Sequence, residues 1–238
     1  MKRHRFAPRR RPLASIGAYA ACAAWLGAAL LSGCASSPSS RFYTLGGPSQ
    51  TERAPTAPAA KPPAFLIEVP AVDVPAQVAR NQLVVSESAT RVDVLEQERW
   101  ASLPADEIRR ALSADLAAQL GTFDVFGSPH PENVPVYRIS VNVSRLESWP
   151  GSRTVLDSVW SVRSLRTQTL VTCHTVQRET VGAGYDALVA GHRRAVGELS
   201  DSIASVVRAL ASGARAPAPG GLDCSTGSSG TEASHGTP

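Results

Sequence analysis

Beyond Gly33 the sequence has no long apolar run, no internal repeat and none of the loops that cradle phosphates or present a nucleophile. There is no Gly-x-Ser-x-Gly elbow, no Walker A loop and no Gly-x-Gly-x-x-Gly turn, so the usual hydrolase and nucleotide-binding chemistries have no local signature. Gly182-Ala183-Gly184 precedes a helical stretch, but a lone Gly-x-Gly is first of all a loop. Histidine is scarce and scattered: His130 in a proline-rich loop, His174 beside Cys173, His192 in the last helical stretch and His235 in the tail. No close Cys/His spacing of the kind that binds a metal occurs among them. Cys173 and His174 are neighbours in a strand-like run and project to opposite faces, a poor geometry for a nucleophile and its base. These absences point away from an enzyme.

A free positive charge is also lacking once its location is considered. The chain has 24 Lys and Arg against 20 Asp and Glu, a formal charge of +4. Six of the cations (Lys2, Arg3, Arg5, Arg9, Arg10 and Arg11) crowd the start, where there is no acid. The remaining 18 face 20 acids, a charge of about −2. No basic run interleaved with aromatics appears past residue 33, which excludes the usual footprint of a nucleic-acid binder.

The basic start, the uncharged Ala- and Leu-rich run from Leu13 to Gly33 and the small residues at its end have the three-part pattern of an export signal. Arg9-Arg10-Arg11 fits the twin-arginine version poorly. Leu31-Ser32-Gly33-Cys34 resembles the bacterial lipobox, which implies cleavage between Gly33 and Cys34, a diacylglycerol on the Cys34 thiol and an N-acyl chain such as palmitate on its new amino group. The alternatives are an uncleaved membrane anchor, for which the run is about long enough, and a plain secretory signal. No basic stop-transfer flank follows the run. The expectation is a lipoprotein signal over 1–33, with no cofactor other than the acyl chains on Cys34.

Residues 34–64 are rich in Pro, Ser and Ala and read as a tether that cannot bury enough apolar surface to fold alone. Within it, Arg41-Phe42-Tyr43-Thr44-Leu45 (41–45) is too apolar for a pure spacer and reads as a short strand or docking segment. The folded domain is expected over 65–212, with a disordered Gly/Ser/Pro tail over 213–238. Strands are expected at Phe65–Val69, Gln82–Ser86, Arg91–Leu95, Phe123–Phe126, Tyr137–Val143, Val155–Leu165 and Thr169–Val181. In Tyr137, Ile139, Val141 and Val143 every second residue is apolar, the period of a sheet with one wet face. Pro104 opens a helix, Asp106 and Glu107 suit its positive end, Ile108, Leu112, Leu116 and Leu120 form its stripe, and Gly121 ends it. A last helix carries Val196, Leu199, Ile203, Val206, Val207 and Leu210 on one face, with Asp186 as its expected N-cap. The order predicts an α+β fold: a mainly antiparallel sheet with two helices packed on one face.

Cys173 and Cys224 remain once Cys22 leaves with the signal and Cys34 is acylated. In an oxidising compartment they can pair, or Cys173 is simply buried and Cys224 incidental. Trp100 and Tyr43 are candidate partner-contact aromatics, and a core role is the competing reading for Trp100. Arg109, Arg110, Arg193 and Arg194 read as a solvated helix surface, with contact to anionic headgroups as the second reading.

Cys34 followed by Arg41-Phe42-Tyr43-Thr44-Leu45, Ile67-Glu68-Val69-Pro70, Val72-Asp73-Val74-Pro75, Asn81-Gln82-Leu83-Val84, Trp100-Ala101, Ile108-Arg109-Arg110-Ala111-Leu112 and Leu199-Ser200-Asp201-Ser202-Ile203-Ala204 together resemble the PqiC-like family of ABC-type transport auxiliary lipoproteins. The single motifs are short, and their order and spacing carry the specificity. Leu103-Pro104 departs from the Pro-before-Leu order of the family. The resemblance implies a non-enzymatic, periplasm-facing lipoprotein that works with an MCE-domain protein and ABC transporter components in lipid transport and envelope integrity, and it supplies no catalytic residue. Ala35 after the lipid-bearing Cys, rather than Asp, implies the outer membrane. A homo-oligomer is compatible with this family reading. The other readings are an envelope-assembly lipoprotein that helps insert lipopolysaccharide or outer-membrane proteins, and a periplasmic hydrolase.

Overall fold

The computed structural model describes residues 39–46, 62–214 and 223–228. The expected signal, Gly33 and Cys34 lie outside these residues. In chain order the elements are β1 (Arg41–Tyr43), β2 (Leu66–Glu68), β3 (Gln82–Ser86), β4 (Val92–Trp100), α1 (Pro104–Leu120), β5 (Val136–Trp149), β6 (Arg153–Ser164), β7 (Thr169–Thr180), α2 (Tyr185–Ala211) and β8 (Asp223–Ser228).

The strands form two sheets, ordered β1-β4-β3 and β2-β5-β6-β7-β8. The fold is α+β, but the expected mainly antiparallel sheet needs correction, because both sheets are mixed. β1 runs parallel to β4 and β2 parallel to β5. The β2 edge continues past its last residue: Asp73 donates its N–H to Val141 O (3.3 Å) and accepts from Val143 N–H (2.9 Å). The hairpins β3–β4, β5–β6 and β6–β7 are antiparallel, as short turns require.

The strand alternation decides which way the long hairpins face. Tyr137, Ile139, Val141 and Val143 are buried, while Arg138, Ser140 and Asn142 are exposed. A bulge between Val143 and Arg145 resets the phase, so that Ser148 rather than Glu147 is buried. α2 lies across β5, β6 and β7, with α1 beside it. Gly191 permits the approach: a Cβ there would sit 2.5 Å from Val181 Cγ1 and 2.9 Å from Thr154 Oγ1. Ile108, Leu112 and Leu116 of α1 and Leu188, Val196, Leu199 and Ile203 of α2 share one core with Ile67, Leu156 and Trp160 of the strands.

The helix ends follow from local chemistry. Pro104 occupies the first turn of α1, and Gly121, at φ 62°, closes it with its N–H on Ala117 O. The N-cap of α2 is Gly184, not Asp186; Asp186 falls inside the first turn, where its charge meets the positive end of the helix. The expected strand at Phe123–Phe126 is also corrected. Only Asp124 makes a bridge there, to Ile67, because its Oδ1 accepts the Phe126 N–H at 3.0 Å and curls the chain in a local turn.

The tail expectation fails over Asp223–Ser228. These residues form β8, antiparallel to β7. Cys224 stands opposite Cys173 in register, and the two are joined at an S–S distance of 1.99 Å. A run of Asp, Cys, Ser, Thr, Gly and Ser has little strand propensity, so the covalent link carries the pairing. Closing a loop of this separation is worth up to about 4 kcal/mol in the chain-entropy account. Cys224→Ser is expected to cost less than that, because β8 can leave the edge while the core stays folded. Hydrogen exchange should show loss of protection over residues 223–228 with little change in β5 and β6; intact protection over 223–228 would contradict this role for the link.

Candidate functional site

Two buried carboxylates lock the amino-terminal segment onto the domain. Glu98, near the end of β4, is only 6% exposed. Arg41 Nε donates to both of its oxygens at 3.0 Å, and the Tyr43 hydroxyl donates to Oε2 at 2.6 Å. The Arg41 bonds are the main reason the Glu98 carboxyl is held below its ordinary value; burial opposes them and Tyr43 assists. Burial, then the bond to Glu98, pushes the Tyr43 hydroxyl up to about 12.

Glu107, in the first turn of α1, is 1% exposed. Burial would raise its carboxyl, but hydrogen bonds from Ser102, the Leu45 N–H and Thr44, with the charge of Arg110, carry it below the ordinary value. Those donors stand at 2.6 Å (Ser102 Oγ), 2.9 Å (Leu45 N) and 2.8 Å (Thr44 Oγ1). Arg193 of α2 completes the grip by donating to the Leu45 carbonyl and pairing with Asp115 at 3.2 Å. β4, α1 and α2 therefore hold the five-residue segment Arg41–Leu45, which is far from all of them in sequence.

The candidate partner-contact aromatics belong to this grip and not to the surface. Trp100 is 4% and Tyr43 9% exposed, which corrects their reading as contact residues: Tyr43 spends its hydroxyl on Glu98, and Trp100 packs edge-on to His192 at 6.1 Å between ring centroids. The exposed aromatic of the segment is Phe42, at 65%. The four helix arginines are not a free cationic face. Arg109 meets Asp124, Arg110 meets Glu107, Arg193 meets Asp115 and Arg194 meets Glu179.

Cys173 faces the core and has no free thiol, while His174 faces outward to Asp157, with Nε2 and Oδ1 2.8 Å apart. The arrangement therefore offers no nucleophile–base pair at these positions. The sequence around His192 gives no signal beyond its place in a helix. His192 is fully buried, its Nε2 lies 2.8 Å from Ser148 Oγ and its Nδ1 has no partner among the described residues. Burial pushes its imidazole down to about 4.

The folded His192 stays neutral in a range where the unfolded residue, near 6.5, takes up a proton. Stability should therefore fall as pH drops from about 6.5 to about 4, by about 3 kcal/mol in total. Below 4.5 the loss of the Glu98 and Glu107 charges adds to the fall. His192→Gln should flatten the upper part of that profile in urea titrations across pH; an unchanged slope between 6.5 and 4.5 would contradict the assignment.

A groove of about 360 Å³ opens between the β3–β4 turn and the end of β5, lined among others by Val78, Arg91, Val92, Arg145, Leu146 and Trp149. Both guanidiniums in it are already paired, Arg91 with Glu87 and Arg145 with Glu147 and Asp157. Among the described residues no helix is long and apolar enough to cross a membrane.

Two mixed sheets backed by two helices, with a strand from ahead of the domain clamped into the smaller sheet, define the class of module. The family model of the ABC-type transport auxiliary lipoprotein component matches residues 43–204, and the chain belongs to that family. The match begins at Tyr43, inside the clamped segment. A crystal structure of an uncharacterized protein is similar with a TM-score of 0.54 at 20% identity, covering 70% of this chain and 97% of the other; this likeness shows the fold. A crystal structure of a Xanthomonas campestris protein of the DUF330 family has a TM-score of 0.49 at 13% identity, over 65% of this chain and 88% of that one. Among curated proteins no sequence match is found.

Proposed function

We propose that the chain is a non-catalytic outer-membrane lipoprotein that serves as an accessory subunit of an MCE/ABC-type system moving phospholipid between the two membranes. The observation that carries this reading is the family membership over residues 43–204, joined to a lipobox-like Leu31-Ser32-Gly33-Cys34 only a few residues upstream. Acyl chains on Cys34 hold the protein in the periplasmic leaflet of the outer membrane, and Ala35 favours that destination. No cofactor is needed, because the work is to bind and position a partner. Confinement to a membrane raises the local concentration of that partner, so weak contacts suffice.

Crosslinking in intact cells, followed by identification of the adducts, tests the partnership. The expected adduct is an MCE-domain protein, with ABC transporter components co-purifying. Adducts confined to lipopolysaccharide- or outer-membrane-protein-insertion machinery would favour the other envelope-assembly reading and overturn this one. Adducts between copies of the chain would reveal a homo-oligomer.

A further inference from the structure

Ser39 and Ser40, the described residues just upstream of Arg41, run in a defined direction. β1 is parallel to β4, with Arg41 opposite Glu98 and Tyr43 opposite Trp100, and Ser40 Oγ bonds the Gln97 side chain at 2.9 Å. Going backwards from Arg41 is therefore going towards Val92 and the β3–β4 turn. The register of β3 against β4 shifts between Gln82 and Leu83, but the direction holds, because β3 pairs antiparallel with β4 on both sides of the shift, Gln82 with Arg99 and Leu83 with Leu95. β3 spans the interval in 5 residues, about 17 Å. Cys34 lies seven residues before Arg41 in the sequence, and such a stretch reaches at most about 25 Å. A bilayer holding Cys34 thus lies within a short distance of that end of the domain, and the Pro-rich residues 47–61 contribute nothing to the leash because they follow the clamp.

The side chains at that end suit a headgroup layer. Val92 is 41% exposed. The Arg153 guanidinium lies over the Trp149 ring at 4.7 Å from its centroid, beside the β5–β6 turn, and the side chains of Arg91 and Arg145 are 73% and 46% exposed. Tryptophan and arginine with aliphatic neighbours are the residues that settle where water meets lipid. The ion pairs of Arg91 and Arg145 make the contact close to charge-balanced, so anionic lipid is not required.

We propose that the end of the domain formed by the β3–β4 turn and the β5–β6 turn rests on phospholipid headgroups, with the Arg166–Gln168 turn at the far end. The proposal rests on the acylation of Cys34 proposed above. β6, with 12 residues, separates the two ends by about 40 Å. The orientation leaves Phe123 and Phe126, 54% and 47% exposed and next to the start of β2, at the membrane-distal end.

Acylated mature protein, starting at Cys34 and carrying Ala89→Cys or Thr167→Cys, can be labelled with a donor dye, since Cys22 leaves with the signal, Cys173 and Cys224 are joined and the Cys34 thiol carries lipid. Both positions are exposed turn residues. In phosphatidylcholine vesicles with a headgroup acceptor, energy transfer should be strong from residue 89 and several-fold weaker from residue 167. It should not change when part of the lipid is replaced by phosphatidylglycerol. Equal transfer from the two sites, or stronger transfer from residue 167, on vesicle-bound protein would overturn the orientation while leaving the acylation standing. Transfer that appears only with phosphatidylglycerol would overturn the charge-balanced contact. Protein that fails to stay with the vesicles would overturn the acylation reading and the orientation together.

Discussion

Glu107→Ala is expected to lower the stability of the domain by about 3 kcal/mol and its melting temperature by roughly 6–12 °C. The carboxylate is 1% exposed and accepts from Leu45 N–H, Thr44 Oγ1 and Ser102 Oγ while pairing with Arg110. Alanine would leave those donors facing a cavity. The loss should be local as well as global: the Leu45 amide should lose its exchange protection, and β1 should loosen from β4. Glu107→Gln keeps the shape and one acceptor oxygen but turns an NH₂ group towards other donors, so it should fall between wild type and alanine. A melting temperature unchanged in Glu107→Ala would show that the clamp does not hold the segment.

Cys34→Ser, exported behind an ordinary signal that is cleaved without lipidation, is expected to move the protein from the membrane to the soluble periplasmic fraction, with its melting temperature unchanged. Each buried methylene of an acyl chain contributes about 0.8 kcal/mol, and more than one chain gives anchoring that does not reverse on a cellular timescale. Removing the thiol removes all of it at once. No described helix could substitute as a span. If the variant resists an alkaline wash as the native protein does, another element holds it to the membrane. The clamp connects the two predictions: Glu107→Ala should leave the protein membrane-bound while lengthening the leash, whereas Cys34→Ser should leave the clamp intact.

How much of this was legible depended on the range of the forces involved. α1 was readable to both ends because Pro104 and Gly121 act on their own turns. The β5–β6–β7 meander was readable because the period of two is printed in Tyr137, Ile139, Val141 and Val143. The parallel partners of β4 and β5 were not, since Arg41 meets Glu98 across 57 residues and no local pattern encodes that pairing. β8 is not legible because Thr226 is its one strand former and a covalent bond to Cys173 supplies what propensity does not. Glu107 was read as a helix-dipole acid. Its burial beneath Thr44 and Leu45 depends on the amino-terminal segment returning to the domain, and the only hint was that 41–45 is too apolar for a tether. Trp100 stands between a surface anchor and a core residue in sequence, and packing against His192 decided it. Gly184 rather than Asp186 begins α2 because the Gly182–Gly184 break ends two residues before the acid.

The central claim is that one acylated residue, just ahead of a clamped strand, fixes this transport-auxiliary domain to a membrane. Intact-mass and amino-terminal peptide mass spectrometry of the protein extracted from native membranes tests it most directly. The account predicts a chain that starts at Cys34 and carries a thioether-linked diacylglycerol and an amide-linked fatty acid. A chain that starts at Met1, or one that starts near residue 34 without acyl groups, would contradict it.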